Sequence, residues 1–316
     1  MKTDMCRKII GILFIAALPA VGSAQLLNVA AVERIDVPGA TPTVAAISAK
    51  GDYLLLTTPE RNGLVKFSLN SSTTGGDTLR LTNAMGAGIN PKISKSGNTV
   101  VYRETTIGKD HLRRVALRSI DLTKGKAKLM AKATHDLQGY AVDGEQLNII
   151  AGGKRSAKAL ARGAGKNSAV PTLSILNGRL MLTRGGETTD FSPNGTDKSY
   201  IWPELSPDAT KVVYYVAGEG AYVCNIDGSA APVALGIVRA PKWYDNSTIV
   251  GMEDHDDGES VYASKIVAVS TAGERQQLTP DSIVAMYPLP AEGKISFSTP
   301  RGEAYMITVS KSASNE

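Results

Sequence analysis

The chain has 316 residues, 42% of them hydrophobic, which is enough for a sizeable core in one large domain or two smaller ones. Its formal charge of +5 falls to +3 (32 cations against 29 anions) without a leader carrying Lys2, Asp4, Arg7 and Lys8, a surplus too slight and dispersed to argue for nucleic acid. Because Cys6 lies in that leader, Cys224 is then the one cysteine left, so an internal disulfide is excluded and Cys224 reads as a small apolar strand residue.

The leader comes first in chain order. "MKTDMCRK" is basic, "IIGILFIAALPAVG" is an apolar run of 14 residues, and "GSA" before Gln25 supplies the small residues of a cleavage site. The run is short of the roughly 20 residues that span a bilayer. The expectation is a secretory signal peptide over 1–24, cut after Ala24, and a periplasmic or extracellular protein with no stable membrane insertion. No cysteine follows the run, so a lipoprotein signal is not seen. Residues 25–44 form an N-terminal segment with one spare strand, "AAVERIDV".

From about residue 45 short apolar or alternating runs are separated by Gly, Asp, Asn, Ser and Pro, and no long stretch carries a helical period. The protein is predicted to be all-β. A polar turn followed by a Val/Ile/Leu-rich strand recurs: "SAKGDYLLLT", "SKSGNTVVYR", "AVDGEQLNII", "SPDATKVVYY", "WYDNSTIVGM" and the shorter "PAEGKISFS". Anchoring on the turn residue gives Gly51, Gly97, Gly144, Ala209, Asn246 and Glu292, at intervals of 46, 47, 65, 37 and 46 residues. Spacings near 40–50 residues are those of propeller blades. Six anchors predict six four-stranded antiparallel blades over 45–310, with an insertion at 152–190 in the third and a tail at 311–316. The sixth unit lacks a final strand, and the spare N-terminal strand is expected to supply it and close the ring.

The stretches "PELSPDATKVVYYVAGEGAYVCNIDG" and "APKWYDNSTIVG…SKIVAVSTAGERQQLT" carry a family resemblance. They resemble the Pro-x-Trp-Ser-Pro-Asp-Gly repeat of TolB-type, WD-like propellers, although Leu205 stands for the expected Trp and Ala209 for the Gly. The resemblance covers about residues 45–310 and implies an exported propeller that serves as a protein-interaction or ligand-binding scaffold. It does not by itself decide between binding and catalysis.

The candidate chemistry is sparse. No Gly-x-Ser-x-Gly nucleophile elbow exists. Of three histidines, His111 and His255 fall in hairpin turns and only His135 sits near an inner strand, whereas the related sugar-lyase propellers imply a cluster of histidines on the axis. Asp254, Asp256 and Asp257 before Gly258 resemble a calcium loop, but the Gly is one position early and no Glu follows at twelve; the other reading is an Asp/Gly hairpin turn. The insertion carries Lys154, Arg155, Lys158 and Arg162 without an acid nearby: either a solvated loop or a contact for an acidic partner. Tyr200, Trp202, His135, Trp243 and Tyr287 precede anchor turns, where they either rim the channel or pack between blades. The expectation is a monomeric, non-catalytic scaffold without a cofactor or metal, binding an envelope or secreted protein through its channel mouth and basic arm. A carbohydrate- or small-ligand-binding propeller using the aromatic rim is the alternative, and a polysaccharide-lyase-type enzyme the third reading.

Overall fold

The computed structural model describes residues 25–37, 42–69, 77–161 and 170–312; the expected signal peptide and Arg162 lie outside them. Every regular element among the described residues is a strand, and no helix is long and apolar enough to cross a membrane. The strands form seven antiparallel sheets arranged as the blades of a propeller.

Written from the innermost strand outward, blade one is Thr43–Ile47, Tyr53–Thr57, Leu64–Ser68 and Thr78–Thr82. Blade two is Lys92–Ile93, Thr99–Ile107, Arg113–Asp121 and Lys126–Thr134. Blade three has three strands, Leu137–Asp143, Gln146–Ala151 and Lys154–Ala159, and so does blade four, with Thr172–Leu176, Arg179–Arg184 and Glu187–Asp190. Blade five is Tyr200–Leu205, Lys211–Val216, Gly220–Asn225 and Val233–Gly236. Blade six is Arg239–Trp243, Thr248–Asp256, Val261–Ser270 and Arg275–Gln277. Blade seven takes Met286–Ala291, Lys294–Ser298 and Ala304–Lys311 from the C-terminus and Leu27–Ile35 from the N-terminus, the last pairing antiparallel with Ala304–Lys311.

The six-blade expectation is therefore corrected to seven. The region read as an insertion, 152–190, is two things: the third strand of blade three and the whole of blade four. The strands within it are legible in the sequence, including the hairpin around Asn177-Gly178, but that hairpin reads there as part of the insertion in the third unit rather than as an anchor turn. Taking Gly178 as the missing anchor splits the long interval of 65 into 34 and 31 residues. Both are short because these blades carry three strands among the described residues.

The anchor turns repeat in atomic detail. In blades one, two and five the amides of Gly51, Gly97 and Ala209 each donate to the carbonyl of the serine three positions earlier at 2.8 Å. The hydroxyls of Ser48, Ser94 and Ser206 accept from the next strand at Tyr53 N (3.2 Å), Thr99 N (3.2 Å) and Lys211 N (2.9 Å). Gly51 and Gly97 have φ of 63° and 77°, and Ala209 adopts 56° in the same turn. Ala209 thus occupies a left-handed position that costs a residue with a Cβ roughly 1–2 kcal/mol.

The second strand of each blade is sandwiched by its neighbours, which is why Leu54–Leu56, Thr99–Tyr102 and Val212–Val216 are buried throughout rather than in alternation. Apolar clusters fill six of the seven seams. Cys224 is buried in one of them, where burial raises its thiol to about 11 and leaves it a core residue.

Candidate functional site

The inner strands surround an axial channel, a cavity of about 700 Å³. Its upper mouth is the end at which the inner strands begin and the hairpins between second and third strands lie. Three inner strands open with the same irregularity. Trp202-Pro203, Ala240-Pro241 and Tyr287-Pro288 each set two residues against one on the neighbouring strand, with φ of 51°, 48° and 55° at the residue before the proline. Asn90-Pro91 stands at the same place before Lys92, with φ of 52°. Proline donates no hydrogen bond to the ladder, so the strand bulges there and the preceding side chain is re-aimed. In blades five and seven that side chain is a large aromatic, Trp202 or Tyr287, each more than a third exposed and lining the channel. Trp202 lies edge-on to Tyr215 at 5.6 Å between centroids, and the Arg61 guanidinium of blade one sits over Tyr287 at 5.7 Å.

One step deeper, register defines a ring of equivalent positions. Ala46, Lys92, Ala141, Ser174, Glu204, Lys242 and Leu289 all occupy the same rung, opposite Leu55, Val101, Asn148, Met181, Val213, Val250 and Ser296. Three of these seven carry charge. The Lys242 ammonium lies 3.3 Å from Glu204 Oε2 across blades six and five. Burial and the charge of Lys242 push Lys92 down to about 8, with Glu204 pulling the other way. Lys92 is half-buried, and the surface it keeps faces the concave channel rather than open solvent. Arg103 of blade two lies over the Tyr140 ring at 5.6 Å, and the Tyr140 hydroxyl donates to Asn90 O at 2.7 Å. Burial raises that phenol to about 12, so it stays a donor at neutral pH. The cations lining the channel, Arg61, Lys92, Arg103 and Lys242, outnumber the acids Asp143 and Glu204 by two.

The structure sorts the sequence-derived candidates. Trp202 and Tyr287 share the channel. Tyr200 does not reach it: the residue is fully buried, its hydroxyl donating to Gly195 O (3.0 Å) and accepting from Asn194 N (2.8 Å). Trp243 fills the seam between blades five and six, its indole donating to Glu204 O at 3.1 Å. His135 is exposed outside the channel lining, with Nδ1 2.8 Å from Arg113 O. Lys154, Arg155 and Lys158 lie on the outer strand of blade three rather than on an arm, and Arg155 is turned inward to donate to Asn148 Oδ1 at 2.7 Å. Asp254 and Asp256 both point at Arg239, at 2.8 and 3.5 Å, while Asp257 accepts from the amides of Glu259 and Ser260 and so caps its own turn. Among the described residues no group of three or more His, Cys, Asp or Glu could hold a metal.

Sequence reasoning missed Arg61, Lys92, Arg103, Glu204 and Lys242. A signal for three of them was present. Lys92, Glu204 and Lys242 are the x of the repeated Pro-x element in "PKIS", "PELS" and "PKWY", a position that lines the channel in blades two, five and six.

The exposed large apolar residues are unevenly placed. Of eleven among the described residues, Leu79, Leu129 and Val233 lie on outermost strands, and the other eight are at the upper end. Besides Trp202 and Tyr287 these are Met85, Ile89, Ile107, Leu112, Ile237 and Tyr262, all on upper hairpins or on the connections between blades.

Neither a family model nor a curated protein matches the chain. Solved structures do. A protein described as TolB from Agrobacterium tumefaciens is similar over 86% of this chain and 90% of its own, with 15% identity and a TM-score of 0.51. A virginiamycin B lyase from Staphylococcus aureus is similar over 88% of this chain and 98% of its own, with 13% identity and a TM-score of 0.57. A chain of a mitotic checkpoint complex matches over 94% of this chain and 100% of its own, with 12% identity and a TM-score of 0.58. At such identities the likeness is one of fold. That fold is shared here by a lyase and by a TolB, and so does not choose between catalysis and binding.

Proposed function

We propose that this chain is an exported, non-catalytic propeller that docks a protein partner on its upper face, around the channel mouth. The observation that carries the reading is the concentration of exposed apolar side chains at that one end, three of which, Ile89, Trp202 and Tyr287, line the channel. Exposed apolar side chains gathered at one end of a molecule mark an interaction site, and aromatics among them are its usual anchors. The basic outer strand of blade three is set aside as the main contact, because neither Lys154 nor Lys158 lines the channel and Lys158 lies toward the lower end of the strand.

The test is site-specific photocrosslinking in cells that export the protein. A crosslinking residue at 107, 262 or 287 is expected to yield one common adduct, and the same residue at 79 or 129, on outer strands, none. Adducts from the outer strands alone would sink the reading.

A second reading has its own observation. Trp202 and Tyr287 line a cavity of about 700 Å³, within the range that holds small ligands. A tryptophan fluorescence response to neutral oligosaccharides, lost in Trp202→Ala, together with silence in the crosslinking experiment, would favour it.

A further inference from the structure

Of the three charges on the channel ring, two answer each other: Glu204 and Lys242 lie 3.3 Å apart. Lys92 has neither an ion pair nor a hydrogen bond among the described residues. An ammonium removed from bulk water without a direct ion pair or hydrogen bond is unusual, because the desolvation is normally offset by a partner. A second cation of the same channel is also incomplete: Arg103 Nε is buried and has no acceptor. Glu204 Oε2 is buried against the Lys242 ammonium and its charge is already met there, so it does not answer Lys92 directly. A polypeptide with acidic side chains brings the carboxylates that Lys92 and Arg103 lack.

Resting on the docking reading above, we propose that the partner threads an acidic segment into the channel and that the Lys92 ammonium, assisted by Arg103, seats one of its carboxylates. The apolar upper face would hold the body of the partner, and the channel would read the charge of the segment that enters. Charge-assisted hydrogen bonds in a partly dehydrated site are the strong ones, so a single seat has a measurable effect.

The seat makes binding pH-dependent. Burial and the charge of Lys242 hold Lys92 down to about 8, so its ammonium form prevails at pH 7 and its neutral amine at pH 9, while the guanidinium of Arg103 stays charged. The other charged or titratable groups lining the channel are Arg61, Arg103, Tyr140, Asp143, Glu204, Lys242 and Tyr287. Replacing Lys92 by arginine isolates its share, because a guanidinium stays charged over this range.

The experiment is titration calorimetry of the purified protein with hexaglutamate and hexaglutamine. Hexaglutamate is expected to bind and hexaglutamine to bind at least tenfold more weakly. Lys92→Met is expected to weaken hexaglutamate about tenfold or more, equivalent to about 1.4 kcal/mol or more. Lys92→Arg retains binding and loses the fall in affinity between pH 7 and 9, and Lys158→Met, on the outer strand of blade three, changes neither. Thermal melts of each variant establish that it is folded. Equal affinity of wild type and folded Lys92→Met, or of the two hexapeptides, overturns the seat, while glutarate binding as tightly as hexaglutamate overturns its assignment to a peptide. The outcomes separate from those of crosslinking. If upper-face adducts persist and Lys92→Met is silent, the docking face stands and the seat fails; if the adducts are absent and hexaglutamate still needs Lys92, the reverse holds.

Discussion

Tyr200 and Trp202 are two positions apart on one strand, yet one is core and the other lines the channel. In a regular strand residues i and i+2 share a face, so alternation alone assigns them together. The bulge at Trp202-Pro203 breaks the alternation. The aromatic-proline pair is visible in the sequence, but the positive φ that re-aims the ring is not, because a residue before proline is ordinarily extended. The two residues should therefore respond in opposite ways to substitution. Tyr200→Phe removes a hydroxyl that accepts from Asn194 N and donates to Gly195 O, and should cost about 1–2 kcal/mol. Trp202→Gly loses its edge contact with Tyr215, worth roughly 0.5–1.5 kcal/mol, but relieves a left-handed strain of about 1–2 kcal/mol. Urea unfolding should place Trp202→Gly within about 1 kcal/mol of wild type. A loss several times larger would mean that Trp202 is structural, and would remove it from the site.

At the scale of the strand, the bulges explain a requirement on the neighbouring strand. The residue facing each two-residue bulge is Tyr214 in blade five and Phe297 in blade seven, but Gly251 in blade six. A Cβ on Gly251 would collide with Val238 Cγ1 and stand 3.1 Å from Arg239 O. The side chain could turn aside, whereas the backbone oxygen belongs to the strand that carries Lys242 into the channel. Gly251→Ala should therefore destabilise by about 1–3 kcal/mol through overpacking. It should also weaken hexaglutamate binding by moving Lys242 and, through its ion pair, Glu204. Denaturation combined with calorimetry checks both effects, and a variant as stable as wild type would contradict the packing argument. The same scale shows why blade four escaped a reading of the sequence. Its strands carry ordinary alternation and a two-residue turn, with Asn177 at φ 52° and Gly178 at φ 81°, which marks a hairpin equally well in a blade or on an arm. What separates the two is whether the hairpin's faces are covered by neighbours, and coverage is tertiary information. By contrast, the missing last strand of the C-terminal unit and the spare strand at the N-terminus were both legible. Their pairing follows from the need to leave no open edge.

A closed ring is as strong as its weakest seam. The seam at which the chain ends meet is well fastened. The side chain of Gln276 in blade six accepts from the amides of Leu26 and Leu27 at 2.8 Å each and donates to Leu27 O at 2.7 Å, and Leu27–Ile35 pairs along its length with the C-terminal strand. Apolar clusters also join blade six to seven and blade seven to one. The seam between blades three and four differs from the other six: no apolar cluster spans it among the described residues. Its buried residues include Gln146, Asn148, Thr172 and Ser174, and the Thr172 hydroxyl has no partner. Each apolar side chain buried in the other seams contributes roughly 1.5–3 kcal/mol that a polar seam largely forgoes. Local opening should therefore begin between blades three and four rather than at the chain ends. In native-state hydrogen exchange the amides of Leu137–Asp143 and Thr172–Leu176 should exchange ahead of those of Met286–Ala291 and Ala304–Lys311. Uniform protection around the ring, or earliest exchange at the Leu27–Ile35 strand, would refute the order argued here. The order bears on binding because the inner strands of blades three and four line the same channel, blade four directly beside the blade that carries Glu204. An acidic segment that braces the channel from within should slow exchange at this seam more than at any other, since the seam with the least packing of its own has the most to gain from a ligand that spans it.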